Sequence, residues 1–350
     1  MVPRQEAGNA RGLAPRRNHP SRLDDMSNQQ SLPAPRSTGQ AGAISNRRST
    51  AIPFVKMVGT GNDFLIVESS PGRFASLTRR WPAIARAVCD RRQGIGADGL
   101  LLLEPSRLGD ARMRVFNPDG SEAQMCGNGA RCVVRYLAAR PRRRNSTVVL
   151  ETAGGMVRGW VRPPRRKDFQ AGRGGERVHL QMAEPTQVRL GLEIPVGGRT
   201  LSAASVDTGV PHLVVGVSDL GAVDVHGLGR QLRAHRLFQP RGTNVDFVEV
   251  DRRASHRLRI RTYERGVEGE TLACGTGVAA AAVIHALTHH GVSDGRGTRR
   301  RRVDVITRGG DRLSLSFRLV TQGAQRVVND VVLEGPVRWI CHGAFSWPLR

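Results

Sequence analysis

Two short segments of the chain resemble each other, and each contains one cysteine that could transfer protons. Residues 114–129 read Arg-Val-Phe-Asn-Pro-Asp-Gly-Ser-Glu-Ala-Gln-Met-Cys-Gly-Asn-Gly. Residues 261–277 read Arg-Thr-Tyr-Glu-Arg-Gly-Val-Glu-Gly-Glu-Thr-Leu-Ala-Cys-Gly-Thr-Gly. When Cys126 is aligned with Cys274, both Cys-Gly-x-Gly turns and a glutamate four residues upstream of each cysteine fall into register. The duplication predicts two related half-molecules, each of which contributes one thiol.

A Cys-Gly-x-Gly turn that opens a helix suits proton transfer. The sulfur lies beside unpaired backbone N–H groups, at the positive end of the helix dipole. Both effects favour the thiolate, and such positions can lower a cysteine pKa to about 3.5–7.5. One site could then hold a thiolate that takes a proton while the other holds a thiol that gives one. Two such thiols across a pseudo-twofold axis could act on opposite faces of one small substrate.

These cysteines have two other interpretations. A single cysteine before a helix is more often a small buried apolar residue, but two copies in matched contexts weigh against that interpretation. Cys126 and Cys132 are six residues apart, whereas zinc ligands usually follow a Cys-x2–4-Cys spacing, so no metal site is predicted. The chain has five cysteines, and an odd set of this kind is more often free than bridged in a reducing compartment.

The composition limits the class of protein. At 350 residues the chain is long enough for two domains, each with its own core. It has no apolar run of membrane-spanning length and no amino-terminal signal pattern. We therefore expect a cytoplasmic protein without membrane contact.

The net charge of +24 raises the alternative of a basic nucleic-acid-binding protein. All but two of the 54 basic residues are arginine, however, and much of the excess lies in short runs where turns are expected. Aromatic residues make up 4% of the chain, which leaves few platforms on which bases could stack. We therefore expect no nucleic acid as a partner.

The order of predicted elements indicates the fold class. Residues 1–51 are rich in Arg, Ser, Pro, Asn, Gln and Gly without apolar periodicity, which predicts a disordered basic extension. After them, many short apolar runs of strand length are separated by Gly, Asp, Asn and Pro clusters. Helices are predicted at Leu77–Cys89, Gly129–Ala139, Gly227–Leu237 and Val278–His289. Many strands with few helices predict an α+β protein rather than a doubly wound sheet.

Several motifs together resemble the diaminopimelate epimerase family. The matching stretches, in family order, are Gly59–Phe64, Gly94–Asp98, Phe116–Cys132, Asp207–His212, Gly242–Asn244 and Tyr263–Gly277. The resemblance implies two pseudo-symmetric domains, each a β-sheet or barrel wrapped around a central helix, with the active site in the cleft between them. Residues 52–183, with the segment 336–350 returning to them, are expected to form the first domain, and residues 184–335 the second.

The same resemblance implies a reaction. The family interconverts L,L- and meso-diaminopimelate, in lysine and cell-wall precursor biosynthesis, without pyridoxal phosphate, metal or any other cofactor. Cys126 and Cys274 match the two catalytic cysteines, of which one removes the α-proton and the other reprotonates the opposite face. A homodimer is expected on the same ground. A proline-type racemase or a related isomerase of the same fold is the alternative.

The resemblance also assigns substrate contacts by motif position. They are Asn62, Asn117, Gly127, Asn128, Asn244, Glu264, Arg265, Gly275 and Thr276, with His212 as a supporting residue. The adjacent acid and base, Glu264 and Arg265, suit an amino group and a carboxylate, because a guanidinium binds a carboxylate through two parallel hydrogen bonds. Many family members have Gln where this chain has Gly99, and Asn where it has Val210. These two departures bear on substrate selectivity rather than on the chemistry.

Overall fold

The computed structural model describes residues 49–70, 72, 74–141, 146–162, 176–252, 254–288, 300–322 and 325–348. Within them, the helices are α1 (Trp81–Cys89), α2 (Gly127–Ala138), α3 (Val225–Arg233) and α4 (Gly275–Thr288). None of these helices has the length and apolar character needed to cross a membrane. The few helices lie among many strands, which confirms the predicted α+β class.

Two runs of strands form the N half (residues 49–181) and the C half (residues 186–334) of the molecule. The strands of the N half are β1 (Ser49–Gly59), β2 (Asn62–Glu68), β3 (Gly99–Glu104), β4 (Ala111–Phe116), β5 (Glu122–Ala123), β6 (Val148–Thr152), β7 (Gly155–Arg162) and β8 (Arg177–Gln181). Those of the C half are β9 (Thr186–Val196), β10 (Arg199–Asp207), β11 (Pro211–Gly216), β12 (Asn244–Val250), β13 (Arg257–Glu264), β14 (Gly269–Thr271), β15 (Arg300–Ile306), β16 (Arg312–Gln322) and β17 (Gln325–Pro348), whose end continues into the N half.

The strands of the N half close into a ring around α2. They pair in the order β1, β2, β3, β4, β6, β7, β8 and β17, and β17 then pairs with β1. The β2–β3 and β4–β6 pairs are parallel, so their connections must cross over, and α1 and α2 supply those crossovers. The buried side chains of α2, from Ala130 to Ala138, fill the ring. The core therefore forms around the helix that begins just after Cys126.

The C half repeats this pairing strand by strand. The β11–β12 and β13–β15 pairs are parallel, with α3 and α4 as their crossovers, and the neighbouring pairs are antiparallel as in the N half. Residues 277–286 of α4 are all buried, as expected for a helix that is apolar on every face. The two predicted pseudo-symmetric units, each a sheet around a central helix, are confirmed.

All four predicted helices are present, with shifted ends. The helix α1 begins at Trp81 rather than Leu77, because Pro82 occupies the first turn and residues 75–77 form a separate 3-10 turn. The helices α2 and α4 begin directly at the glycine that follows each cysteine, two and three residues earlier than predicted.

The predicted amino-terminal extension needs one correction. Residues 49–51 belong to strand β1, where they pair with residues 346–348 at the end of β17. These residues are therefore part of the ring, and the strand β1 begins at Ser49. Residues 1–48 of the predicted extension lie outside the described part of the chain.

Candidate active site

The two repeated cysteines occupy the same position at the start of the two central helices. The carbonyl oxygen of Cys126 accepts from the backbone N–H of Ala130 at 2.8 Å, and that of Cys274 from Val278 at 3.0 Å. The Cys126 sulfur also accepts from the N–H of Gly129 at 3.4 Å. Each sulfur therefore lies at the positive end of a helix dipole, where backbone N–H groups are unpaired.

The second glycine of each motif is required by close packing. A Cβ atom on Gly129 would lie 3.0 Å from Leu101 Cδ2, and one on Gly277 would lie 2.4 Å from Asp246 Oδ1. Both helices thus press their first turn against a strand of their own sheet. This contact fixes how far each sulfur projects into the cleft.

Burial opposes the helix dipoles at both thiols. It is the largest influence on Cys126 and on Cys274, and it raises the pKa of both thiols above the ordinary value. The carboxylate of Glu264 raises both pKa values further, so one side chain acts on both sulfurs. The expectation of lowered pKa values is therefore wrong for the ligand-free protein. Both cysteines start as thiols, and each forms a strong base once it loses its proton.

A hydrogen-bonded chain leads away from Cys274. Its sulfur lies 3.3 Å from the Thr276 hydroxyl oxygen, which lies 2.9 Å from His212 Nε2. The other ring nitrogen, Nδ1, lies 2.7 Å from Asp246 Oδ2, and both of these side chains are fully buried. Asn244 Nδ2, 3.4 Å from Nε2, marks that nitrogen as an acceptor, so we assign the proton to Nδ1. The thiol proton of Cys274 can thus pass through one hydroxyl to an imidazole that a carboxylate orients.

The side chains near Cys126 form a different network. Asn128, in the first turn of α2, donates to Asn62 Oδ1 at 2.6 Å and to the carbonyl oxygen of Ala273 at 3.3 Å. Asn62 donates in turn to Asp98 Oδ2 at 3.1 Å. Since Ala273 precedes Cys274, the Asn128 amide ties the cysteine turn of one half directly to that of the other.

The acid–base pair at the end of β13, Glu264 and Arg265, lies on the C-half side of the cleft. Burial raises the pKa of the Glu264 carboxyl, which also interacts with His212 and Asp246. The Arg265 backbone N–H donates to Asn244 Oδ1 at 2.8 Å, and its guanidinium donates to the carbonyl oxygen of Arg241 at 3.2 Å. These contacts bring Asn244, Glu264 and Arg265 together with the Cys274 network.

A cavity of about 270 Å³ opens beside this network. It lies between strand β10 and residues 237–243, and Asp207, His212 and Arg241 are among the residues that line it. Because it reaches His212, the cavity extends from the Cys274 network towards the surface of the C half. It is large enough for part of a small polar molecule.

Asn117, Gly99 and Val210, which the sequence analysis singled out, have no part in the hydrogen bonds described above for the two cysteine networks. Asn117 is exposed, and its side-chain amide donates to Ser121 Oγ at 2.9 Å within its own turn. Gly99 is buried at the start of β3, where a Cβ atom would lie 3.0 Å from the carbonyl oxygen of Phe116. A longer residue at position 99 would therefore require a small shift of the neighbouring strand. Val210 lies in the turn that leads into β11.

Two residues of the site region were missed by sequence reasoning. Asp246 lies two residues after Asn244 in a buried strand, and this spacing places both side chains on one face of the sheet. Arg131, in the second turn of α2, is fully buried. The sequence feature that could have identified both residues is a charged residue inside an otherwise apolar run.

Comparisons with known proteins agree with this geometry. A family model for diaminopimelate epimerase matches residues 54–173 and 204–332. A diaminopimelate epimerase of Archaeoglobus fulgidus is 39% identical over 292 residues, which cover 82% of this chain and 99% of that protein. One of Moorella thermoacetica is 40% identical over 301 residues, 83% of this chain and 98% of that protein.

The chain belongs to the diaminopimelate epimerase family. Both motifs that contain the repeated cysteines lie inside the matched ranges.

Solved structures of more distant proteins share the fold. A phenazine biosynthesis protein of the PhzF family from Bacillus anthracis gives a TM-score of 0.61 at 14% identity, over 85% of this chain and 99% of that one. A hydroxyproline epimerase of Agrobacterium vitis, with bound trans-4-hydroxy-L-proline, gives 0.57 at 18% identity, over 85% and 92%. At these identities the likeness shows the architecture alone.

Proposed function

We propose that this chain interconverts L,L- and meso-diaminopimelate by a two-base mechanism at Cys126 and Cys274. One observation carries the proposal within the family. Two thiols begin the two central helices of a duplicated fold, and the Asn128 amide joins their turns. A reaction that inverts a stereocentre needs a proton acceptor on one face and a donor on the other, and this arrangement supplies both.

The proton transfers follow from the positions of these groups. The thiolate of one cysteine takes the α-proton, so the Cα–H bond breaks, an S–H bond forms, and the electron pair spreads into the substrate carboxylate. The thiol of the other cysteine then gives its proton to the opposite face of Cα. The two roles exchange when the reaction runs in reverse. Substrate binding must favour the thiolate, because burial holds both thiols in the protonated form beforehand.

Backbone amides are the proposed anchor for the reacting carboxylate. The N–H groups of Gly127, Asn128, Gly275 and Thr276 lie in the first turns of α2 and α4, where a helix has no internal acceptor for them. Such N-termini bind anions. Donors aimed at a carboxylate also stabilise the transition state, since negative charge moves onto it as the proton leaves.

Side chains on both sides of the cleft are proposed to recognise the distal end of the substrate. They are Asn62, Asn117, Asn244, Glu264 and Arg265, with His212 in support through Thr276. A site that requires both charged groups of the distal end rejects shorter amino acids, because its own polar groups would otherwise be left unpaired.

Proline-type chemistry is the second candidate, because a hydroxyproline epimerase shares the fold. Incorporation of solvent deuterium at the α-carbon distinguishes the two. The protein is incubated in D2O under reductant with L,L-diaminopimelate and, in parallel, with L-proline and trans-4-hydroxy-L-proline. Exchange with appearance of the meso form, for diaminopimelate alone, is expected. Exchange with an imino acid instead would contradict the proposed substrate while keeping the thiol chemistry.

The chain is further proposed to act as a homodimer. Along residues 337–348, strand β17 pairs only with β1 among the described strands, and Trp339 and Ile340 on it are 44% and 49% exposed. Association through this apolar strip would cover both side chains. Light scattering coupled to size exclusion is expected to give the mass of two chains. Ile340→Asp should give a monomer, whereas Leu108→Asp, which changes an exposed residue elsewhere, should not.

The compartment and the cofactor requirement stay predictions. We propose a cytoplasmic enzyme, because a reducing compartment keeps the two cleft thiols available for proton transfer. Activity of the purified protein that persists after dialysis against a chelator, and shows no pyridoxal absorbance, would support a cofactor-free reaction. Loss of activity that is restored by a metal ion would contradict it.

A further inference from the structure

Arg131 is fully buried, and within the described part of the chain its guanidinium bonds to the side chains of Thr60 and Asn128, neither of which is a carboxylate. It lies in the second turn of α2, five residues after Cys126. Its Nη2 donates to Asn128 Oδ1 at 2.6 Å and to the hydroxyl oxygen of Thr60. Its Nε and Nη1 atoms have no hydrogen-bond partner in the described part of the chain. A buried guanidinium normally finds partners for all its donors, so these two nitrogens call for an explanation.

The guanidinium lies between the two halves. A Cβ atom on Gly275, the first residue of α4, would be 3.9 Å from Arg131 Nη1. One on Gly335, where β17 passes from the C half to the N half, would be 2.9 Å from Arg131 Nε. A residue of the N-half helix therefore extends to the N-terminus of the C-half helix. The two unpartnered nitrogens lie on the side that faces these glycines.

Burying this charge is costly, and the surrounding charges do not offset the cost. Burial is the largest influence on Arg131 and lowers its pKa to about 10, and nearby Arg177 acts in the same direction. Asp311, Cys132 and Cys126 act in the opposite direction. Of these groups only Asp311 is an anion when the thiols are protonated. The N-termini of α2 and α4 add further positive potential.

We propose that Arg131 is a positioning residue that supplies, from beneath the cleft, the counter-charge for the anion formed at the two helix N-termini. In the free protein that anion is the thiolate that forms when the Cys126 thiol ionises, and during the reaction it is the carbanion delocalised into the carboxylate. The part of this inference that concerns the reaction rests on the proposed function, whereas the part that concerns the Cys126 thiolate does not.

The charges around the thiols show why a counter-charge is needed. Glu264 disfavours a thiolate at both cysteines, and Asp246 does so at Cys274. Arg131 is the charged group that lowers the pKa of Cys126. Without it, the N-terminus of α2 alone would have to offset both burial and the Glu264 carboxylate.

A purely structural role for Arg131 is the competing explanation. Its hydrogen bonds hold the Asn128 amide, and they hold Thr60, whose φ of 54° is in the left-handed region. Two variants separate these roles. Arg131→Gln keeps a donor for Asn128 and removes the charge, whereas Arg131→Lys keeps the charge and loses the planar fork.

The test is the pH dependence of Cys126 alkylation by iodoacetamide, read by mass spectrometry of the Cys126 peptide, with no substrate present. In Arg131→Gln the rising part of the profile should move up by about one pH unit. The rate below that rise should fall only about threefold, because a thiolate of higher pKa is also more nucleophilic. Arg131→Lys should keep the wild-type profile. Exposed Cys341 provides an internal reference in every sample.

Arg135→Gln is the matched control, since Arg135 lies on the same helix and pairs with Glu176 at the surface. Its alkylation profile should match that of the wild type. Circular dichroism and thermal unfolding verify that each variant is folded. A folded Arg131→Gln variant with an unshifted profile would overturn the proposal, as would equal shifts in the Gln and Lys variants. If deuterium exchange shows that the substrate is a different amino acid, the alkylation result is unaffected.

Discussion

The layers of residues beneath the two repeated cysteines differ although the backbones repeat. Phe64 pairs with Gly99 in the N half as His212 pairs with Asn244 in the C half, and Gly129 meets Leu101 as Gly277 meets Asp246. The polar set His212, Asp246 and Thr262 thus has the apolar counterparts Phe64, Leu101 and Val115. Cys274 is connected to a carboxylate through hydrogen bonds, whereas Cys126 packs against an apolar cluster.

The buried cation, in contrast, belongs to the N half and has no counterpart at the equivalent position of the C half. Arg131 follows Cys126 by five residues, and the position five residues after Cys274 is Ala279. The N half therefore places a buried cation near its cysteine, bonded to Asn128, whereas the C half places the His212–Asp246 pair there, which includes a carboxylate. A duplicated fold can present two thiols symmetrically to a substrate and still control their protons by different means.

The largest expected effect comes from removing either thiol. Cys126→Ala and Cys274→Ala should each lower kcat by about 10³-fold or more, because each removes the acid or the base from one face. The measurement is epimer formation by chiral chromatography, started from either isomer. If one variant kept near-wild-type turnover in both directions, the proposal that both thiols are required would be contradicted.

The next largest effect is expected from removing the carboxylate of Asp246, whose counterpart in the N half is the apolar Leu101. Asp246→Asn should lower kcat by about 10–100-fold, because a neutral amide replaces the carboxylate that holds the His212 proton on Nδ1. Steady-state kinetics with diaminopimelate checks it. Asp304→Asn is the control, since Asp304 is also buried in the C half but binds Ser314 and Arg302 instead. Equal losses in both variants would mean that the effect is structural.

Alkaline pH should destabilise the N half through a thiol that the C half lacks. Burial raises the pKa of Cys132 to about 12, and the position six residues after Cys274 is Ala280. The pKa of Cys132 in the folded protein exceeds the unfolded value of about 8.5, so the folded state is favoured while this thiol is protonated. Its contribution to stability is full below pH 8.5 and is lost as the pH rises towards 12. Each unit above 8.5 should cost about 1.4 kcal/mol per thiol.

Urea unfolding at pH 7.5, 8.5 and 9.5 measures this loss. Cys132→Ala should be less stable than the wild type at pH 7.5, because it leaves a cavity. Its stability should nevertheless depend less steeply on pH. Cys341→Ala, which removes an exposed thiol, should keep the wild-type pH dependence. An unchanged slope in Cys132→Ala would contradict the assignment.

The smallest effect concerns an ion pair that occurs in both halves. Arg114 binds Glu122 through two hydrogen bonds of 2.7 and 2.8 Å, and Arg261 binds Glu270 through two of 2.6 and 2.8 Å. Glu122 is 39% exposed and Glu270 is 11% exposed. Arg114→Gln should therefore cost less than about 1 kcal/mol of unfolding free energy, and Arg261→Gln about 1–3 kcal/mol. Equal losses of unfolding free energy in the two variants would show that the difference in solvent exposure does not affect the strength of the two ion pairs.

Sequence patterns were enough to predict what is local or repeated. The α+β class, the four helices and the position of both cysteines before a helix follow from apolar periodicity and from the duplicated motif. The first residues of α2 and α4 were predicted two and three positions too late, because the low helix propensity of glycine argues against a helix start there. In the structure, the carbonyl oxygen of each cysteine already accepts the first helical hydrogen bond.

Properties that depend on distant residues could not be predicted in this way. The direction of the thiol pKa shifts depends on burial by both halves and on Glu264, which is 138 residues from Cys126 in sequence. The burial of Arg131 depends on the closed ring of strands around α2, and such closure leaves no local pattern. The His212–Asp246 contact joins residues 34 positions apart on parallel strands.

Strand β17 has a consequence for how the protein is made. Its first part pairs with β16 and β8, and residues 337–348 pair with β1, near residue 49. The ring around Cys126 therefore closes only after residues 337–348, far along the chain from β1, have been synthesised. Until then the N half has one unpaired edge, and pairing over so long a sequence separation is slow. We expect the Cys126 turn, although it is made before the Cys274 turn, to reach its folded environment only when β17 pairs with β1.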